Sequence, residues 1–221
     1  MSNEIKPELT SEQQNSKIIV FGASGHAKVV IDIIEKQDIY SVESLADDNS
    51  KLKGKEIYGY TVIGGKNDLD FQKVKRVLVA IGDNSVRAEV AGYLTLNNFN
   101  LAEAVIHPSA QLARGVTIGT GSAVMAGSVI NSDTIIGQNT IVNTGARIDH
   151  DCVIGDTVHI APSSTLCGGV TVGDLTLIGA GATILPNVKV GRNVIVGAGS
   201  TVLEDIKDNV SVVGTPAEVI N

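Results

Sequence analysis

The chain predicts an α/β domain followed by a β-solenoid, and three observations carry that reading. From Ile106 to Val202 every sixth residue is Ile, Val or Leu. All the aromatic residues, Phe21, Tyr40, Tyr58, Tyr60, Phe71, Tyr93 and Phe99, lie before position 100. A strand-like run, a glycine turn and a helical pattern follow one another between Lys17 and Glu35. A six-residue period fits neither a helix nor an alternating strand. It fits a coil of three flat faces, one hexad to a face, stacked along an axis.

The fifth position of each hexad supports the solenoid. It runs Ala110, Val116, Ser122, Ser128, Thr134, Thr140, Ala146, Cys152 and onward to Ser200, always small or β-branched, as a narrow interior requires. Gly, Asn, Asp and Pro between the faces suit tight corners. One coil is then 18 residues, and residues 18 apart stack at roughly 4.8 Å. The loss of aromatics at the start of the hexads places a domain boundary near 100–106. This gives a polar arm at 1–16, an α/β domain at 17–105 and a solenoid with C-terminal tail at 106–221.

In the first domain Lys17–Phe21 reads as a buried strand and Gly22-Ala23-Ser24-Gly25-His26 as a turn. A helix follows over Ala27–Glu35, with Val29, Val30, Ile33 and Ile34 apolar. Strand, glycine turn and helix resemble the first unit of a Rossmann-like fold, whose helix N-terminus receives an anion. Asp47-Asp48 ends the next strand (Ser41–Ala46), where an acidic residue is placed to accept hydrogen bonds from a ribose or base. A third strand, Arg76–Ile81, leads into Gly82-Asp83-Asn84 and a helix over Ser85–Leu96. Some ninety residues are too few for a dinucleotide fold, so a mononucleotide or nucleotide-sugar is the expected ligand.

The formal charge of −7 argues against a phosphate backbone as partner, and a solenoid without aromatics offers bases no stacking platform. No apolar run reaches membrane-spanning length and no secretory signal opens the chain, so neither membrane nor export is expected. Two cysteines, Cys152 and Cys167, make no disulfide framework and fit a reducing cytoplasm. Cys152 falls in an inward slot and reads as a packed thiol.

The chain has four histidines: His26, His107, His150 and His159. His150 takes a corner position in its hexad and points outward, between Asp149 and Asp151. A carboxylate on an imidazole fixes its tautomer and raises its basicity, as a general base near neutral pH requires. His159 lies nine residues on and is expected to face the same groove. His107 precedes Pro108 and reads as structural.

These residues carry a resemblance. Gly22-Ala23-Ser24-Gly25-His26, Asp47-Asp48, Ala80-Ile81-Gly82-Asp83-Asn84, Asn143-Thr144, His150-Asp151-Cys152-Val153-Ile154-Gly155, His159 and Val213-Gly214-Thr215-Pro216-Ala217 occur in order across nearly the whole chain. In this it resembles the left-handed β-helix (hexapeptide-repeat) sugar acetyltransferases, closest to the bacillosamine-pathway N-acetyltransferases and sialic acid O-acetyltransferases.

The resemblance implies a left-handed parallel β-helix, a homotrimer and acetyl-CoA as co-substrate. It implies nucleotide-sugar contacts at Ser24, Gly25, His26, Asp47, Asp48 and Gly82. Asn143 would hold the sugar, His150 would be the base and Asp151 would raise its basicity. Acetyl-CoA would lie against His159, Gly168, Ala180 and Ala198. Stacking agrees with part of this: Gly168 is one coil beyond His150, and Pro162, Ala180 and Ala198 form a small-residue track.

Two departures stand out. Close relatives often carry Glu where Asp151 is one methylene shorter, so the ring is held differently or by Asp149. Glu218 follows Ala217 where relatives often have a cation, which leaves Lys189, Arg192 or a neighbouring chain for the CoA phosphates.

The reaction expected is acetyl transfer from acetyl-CoA to the 4-amino group of a nucleotide-linked, foremost UDP-linked, amino-deoxy sugar for glycan or glycoprotein synthesis. O-acetylation of a sialic acid or related sugar is the alternative, and a non-catalytic trimeric nucleotide-sugar scaffold the rival of another class. A zinc site like that of hexapeptide-repeat carbonic anhydrases needs three ligands, and His150 with His159 supplies two, so no metal is expected.

Overall fold

The computed structural model describes residues 16–70, 73–74 and 76–220, so residues 1–15 of the expected polar arm lie outside the described residues. Strand β1 (Ser16–Phe21) leads into helix α1 (Gly25–Gln37) and strand β2 (Tyr40–Ala46). A small hairpin of β3 (Glu56–Ile57) and β4 (Tyr60–Thr61) follows. Strand β5 (Arg76–Val79), helix α2 (Asn84–Leu96) and β6 (Asn100–Leu101) complete a parallel sheet ordered β2-β1-β5-β6. Helix α1 is longer at both ends than its apolar pattern suggests. It buries Ala27, Val30, Ile31, Ile33 and Ile34. Val29 is instead 40% exposed, because the stripe at 3.6-residue spacing passes through Val30 and Ile34.

The three parallel strands converge at Gly22. Its N–H donates to the Ala46 carbonyl at 2.7 Å, and its φ is +120°. A Cβ there would lie 2.5 Å from the Ala80 carbonyl oxygen, so only glycine lets the chain turn off β1 at this point.

From Val105 onward the chain forms two-residue strands that stack into three sheets. Face one carries Val105–Ile106, Ala123–Val124, Ile141–Val142, His159–Ile160, Leu177–Ile178 and Ile195–Val196. Face two starts with Gln111–Leu112 and includes Arg147–Ile148; face three starts with Thr117–Ile118 and includes Val153–Ile154. Ile141 pairs with Ala123 on one side and His159 on the other, so the 18-residue stacking is met in register.

The repeating aliphatics point inward, and those from Val124 to Val202 are at most 2% exposed. Fully burying such a side chain is worth about 1.5–3 kcal/mol, so the periodic ladder is the main source of the solenoid's stability. Inward hydroxyls are not left unpaired. Thr134 Oγ1 donates to the Asp149 carbonyl at 2.7 Å and accepts from Cys152 N at 3.2 Å, tying one coil to the next. Cys152 is fully buried, and its thiol donates to the Cys167 carbonyl at 3.3 Å.

The corners obey one backbone rule. Every fourth hexad position from Gly115 to Gly199 has positive φ. Gly, Asn and Asp accept this conformation readily. Thr157 (φ 56°), Ser163 (φ 58°) and Leu175 (φ 62°) are the exceptions, and the two bulkier ones, Thr157 and Leu175, stand on the corner between faces three and one. The first domain packs on that corner and on face one. Ile18, Val30 and Ile34 share an apolar cluster with Ala123, Met125 and Ile141.

Candidate active site

His150 stands on the corner between faces two and three, its side chain 60% exposed. Its Nδ1 lies 2.7 Å from Asp151 Oδ2. The carboxylate accepts, so Nδ1 carries the proton and Nε2 is left with its lone pair free. Asp151 sits at the left-handed fourth position of the hexad (φ 57°), which turns its short side chain back onto the ring. Asp149 holds the backbone instead: its Oδ1 accepts from His150 N and from Asn131 Nδ2, both at 2.9 Å. The shorter acid thus makes the ring contact itself. The Asp151 hydrogen bond, aided by the Asp149 charge, holds the His150 imidazole above its ordinary basicity.

Gly168 lies one coil beyond, against the ring. A Cβ on it would come within 2.6 Å of Cε1 and 2.7 Å of Nε2 of His150. The glycine therefore keeps open the space in front of the free nitrogen.

Ala180 and Ala198 are exposed and stack with Pro162, but on the corner between faces one and two. Asn143 occupies the same corner, half-buried. The small-residue track and the base are thus on different corners of one chain.

His159 departs from expectation. It does not share the His150 groove within the chain, but points out from face one toward the first domain. Asn143 Nδ2 lies 3.0 Å from its Nε2, and the ring also hydrogen-bonds the Gly82 backbone. Burial, together with the charge of Arg87, lowers its pKa to about 4. His26, at the start of α1, is lowered to about 4 by burial and by the nearby His159 and Arg87. Its Nε2 is buried without a hydrogen-bond partner among the described residues.

Around these imidazoles the expected nucleotide-sugar residues line the C-terminal strand ends. Ser24 caps α1 with no side-chain bond to the helix, and a Cβ on Gly25 or Gly82 would meet nothing within 4 Å. Asp47 is partly committed to structure. Its Oδ2 accepts from Ala23 N at 2.9 Å and its Oδ1 from Asn49 N at 2.8 Å, which ties β2 to the glycine turn. Asp48 accepts from Lys66 N at 2.9 Å and pairs with the Lys66 ammonium at 3.4 Å. Beyond them opens a cavity of about 250 Å³, with Gly64, Gly65, Asn67 and Asp68 in its wall. Carboxylates retain lone pairs after one bond each, so both remain able to accept from a ligand.

His107 is held at the junction, its Nδ1 2.7 Å from Ser109 Oγ. No cluster of three or more His, Cys, Asp or Glu that could hold a metal occurs among the described residues. No described helix is long and apolar enough to cross a membrane.

Folded His26 and His159 titrate near 4, against about 6.5 when unfolded. The unfolded chain therefore binds more protons between those values, and stability falls as pH drops through that window. The melting temperature is expected to decline from pH 6.5 to pH 4 more steeply in the native protein than in His159→Gln, as followed by circular dichroism. Parallel profiles would contradict the buried neutral state.

Sequence reasoning missed Arg87 on α2, and it gave no role to Asn84, the last residue of the Gly82-Asp83-Asn84 turn. Arg87 is completely buried, and its guanidinium reaches carbonyls of both domains.

The family model of the PglD N-terminal domain matches residues 17–94, and that of the bacterial transferase hexapeptide (six repeats) matches 133–168 and 169–204. A curated relative is the UDP-N-acetylbacillosamine N-acetyltransferase of Bacillus subtilis (strain 168), 36% identical over 117 residues. That match covers 49% of this chain and only 51% of the relative, about half of each. Similar solved structures include a histidine-to-asparagine mutant of perosamine N-acetyltransferase from Caulobacter crescentus in complex with CoA and GDP-perosamine. It is 38% identical, with 93% of this chain and 97% of that one covered and a TM-score of 0.88. The acetyltransferase domain of PglB from Neisseria gonorrhoeae FA1090, in complex with acetyl coenzyme A, is 33% identical, with 93% and 100% covered and a TM-score of 0.85. With its first domain, its hexads and nearly its full length matched, the chain belongs to the left-handed β-helix, hexapeptide-repeat sugar acetyltransferases that carry a PglD-type N-terminal domain.

Proposed function

We propose that the protein is an acetyl-CoA-dependent N-acetyltransferase acting on the 4-amino group of a nucleotide-linked amino-deoxy sugar. The observation that carries this is His150: an imidazole oriented by Asp151 at 2.7 Å, its free nitrogen facing the gap left by Gly168. A histidine is also the residue replaced in the perosamine enzyme crystallised with CoA and its nucleotide-sugar. The transfer is direct. The amine nitrogen attacks the thioester carbonyl, His150 takes the amine proton, and CoA leaves as the thiolate. A backbone N–H near the corner stabilises the oxyanion. Ser24, Gly25, His26, Asp47, Asp48 and Gly82 hold the nucleotide-sugar, with Asn143 at the sugar. No metal takes part.

The two-corner arrangement supports a homotrimer. The track of Pro162, Ala180 and Ala198 lies on one corner of the prism and His150 with Gly168 on another. A head-to-tail contact that sets one chain's track beside the next chain's base closes into a ring, and a triangular prism suits three members. Acetyl-CoA then lies between chains, against Gly168 from one and Ala180 and Ala198 from its neighbour. His159 borders the same cleft. We place the reaction in the cytoplasm, in keeping with the reduced cysteines, and assign the product to surface glycan or glycoprotein synthesis.

The test is a screen of UDP-, dTDP- and GDP-linked 4-amino sugars with acetyl-CoA, following thiol release. Turnover of one of them is expected. Acetylation of free sialic acid alone would shift the reading to O-transfer. Nucleotide-sugar binding without any CoA binding would make the protein a scaffold.

A further inference from the structure

Outside the base and the cofactor track, Arg87 stands on the buried face of α2. This side chain is 0% exposed and makes no ion pair among the described residues. Its Nη1 donates to the carbonyls of Ile81 (2.9 Å) and Gly82 (3.1 Å), at the end of the third strand of the first domain. Its Nε donates to the Asn139 carbonyl at 2.8 Å. Its Nη2 donates to Asn84 Oδ1 (2.7 Å) and to the carbonyls of Thr157 (3.1 Å) and Val158 (3.2 Å).

One guanidinium therefore spans both domains through neutral acceptors alone. A buried cation usually has a carboxylate against it. Here Asp83 acts on it through charge alone, and its Oδ1 is already taken by Val86 N as the cap of α2. Burial lowers even the arginine, to about 10.

The acceptors form a series. Asn139, Thr157 and Leu175 are successive left-handed residues 18 apart on one corner. Arg87 takes the first two carbonyls, and Asn84 Nδ2 takes that of Leu175 at 3.0 Å and of Thr176 at 3.1 Å. The start of α2 thus grips three consecutive coils, two of them through residues that resist this conformation. The same guanidinium holds the Gly82 carbonyl and acts electrostatically on His26 and His159.

We infer that Arg87 is a positioning residue for the nucleotide-sugar. It locks the Gly82 turn to the solenoid corner, so that a sugar carried by the first domain meets Asn143 at a fixed place. Its charge, with no carboxylate in contact among the described residues, favours an anionic group of the substrate at that turn. This rests on the nucleotide-sugar reading above. Arg87 touches no reacting atom.

The test uses Arg87→Lys, Arg87→Met and Asn84→Ala in the full chain. Kinetics with acetyl-CoA and the 4-amino sugar that the native enzyme turns over are combined with calorimetric binding of the matching nucleoside diphosphate. Losing hydrogen bonds to a charged group should raise the KM for the nucleotide-sugar about tenfold or more in Arg87→Lys, with the KM for acetyl-CoA within about twofold. Arg87→Met, lacking the charge as well, should bind the nucleoside diphosphate more weakly than Arg87→Lys. Asn84→Ala, which keeps the arginine, should shift the nucleotide-sugar KM in the same direction by less. It carries the test if the arginine variants do not fold. Equal losses for both substrates, or an unchanged nucleotide-sugar KM in a folded variant, would overturn the inference. If no amino sugar is acetylated yet the diphosphate binds the native protein and binds Arg87→Lys more weakly, the proposed reaction fails and the positioning role stands. If no nucleoside diphosphate binds the native protein, both fail.

Discussion

Replacing His150 with alanine should lower kcat about 100- to 10,000-fold while leaving acetyl-CoA affinity nearly unchanged, the usual worth of a positioned proton acceptor. The side chain is exposed on a corner, and its removal opens no core cavity, so the melting temperature should stay within a degree or two of native. The companion variant Asp151→Asn separates base from orienter. Asp151 is the main reason that the imidazole is more basic than usual. Since the base must be neutral to act, activity should rise with pH through a midpoint above 6.5 in the native enzyme. In Asp151→Asn that midpoint should fall toward 6.5, with a lower plateau because the ring is less firmly held. A native-like kcat in His150→Ala, measured by thiol release, would remove the histidine from the mechanism. An unmoved pH profile in Asp151→Asn would remove the carboxylate.

Gly168→Ala should be almost as damaging for a different reason. The added methyl would lie 2.6 Å from the His150 ring, far inside van der Waals contact. The backbone at 168 is not in the left-handed region, and the corner is only half-buried, so the fold should tolerate alanine. The side chain that must yield is the imidazole. Moving it by about 1 Å withdraws Nε2 from the reacting amine, and displacement of that size is worth about a hundredfold in rate. The expected signature is a kcat reduced by about 100-fold with a native melting temperature. Comparable turnover by the folded variant would mean that the ring does not work from the position seen here.

Much of this was legible because the solenoid turns sequence numbers into positions. The spacing of 18 put Gly168 beyond His150, and the ring lies against that glycine. What it could not supply was which corner faces the first domain, since the three faces of a prism are equivalent until something packs on one. For that reason the count alone does not show that His159 stands on face one of its own chain rather than on the His150 corner. It reads as a groove histidine by count, yet face one is the covered face, so its ring meets Gly82 and Asn143.

Arg87 was missed although a signal existed. It falls on the buried stripe of α2 with Val90, Ala91 and Leu94, where a helix facing only its own sheet would carry an apolar residue. A cation on an apolar stripe asks what carbonyls it will meet, and the answer lies 52 to 71 residues away in the chain. Local periodicity does not contain it. Asp47 and Asp48 were placed at the right strand end, but their bonds to Ala23 and Lys66 depend on loops whose paths pattern does not specify.

The left-handed turn at every fourth hexad position gives this chain a reading frame. One inserted residue between Gly115 and Gly199 would shift every later aliphatic out of the interior, as a frameshift corrupts codons. Six would preserve the core yet rotate all downstream corners by a third of a turn, sending a base to where a track belongs. Only eighteen would be silent in orientation, and even that would slide the later residues one coil along the axis. Natural length variation in such proteins should therefore collect at corners as outward loops, leaving the count between Asn143 and His150 untouched.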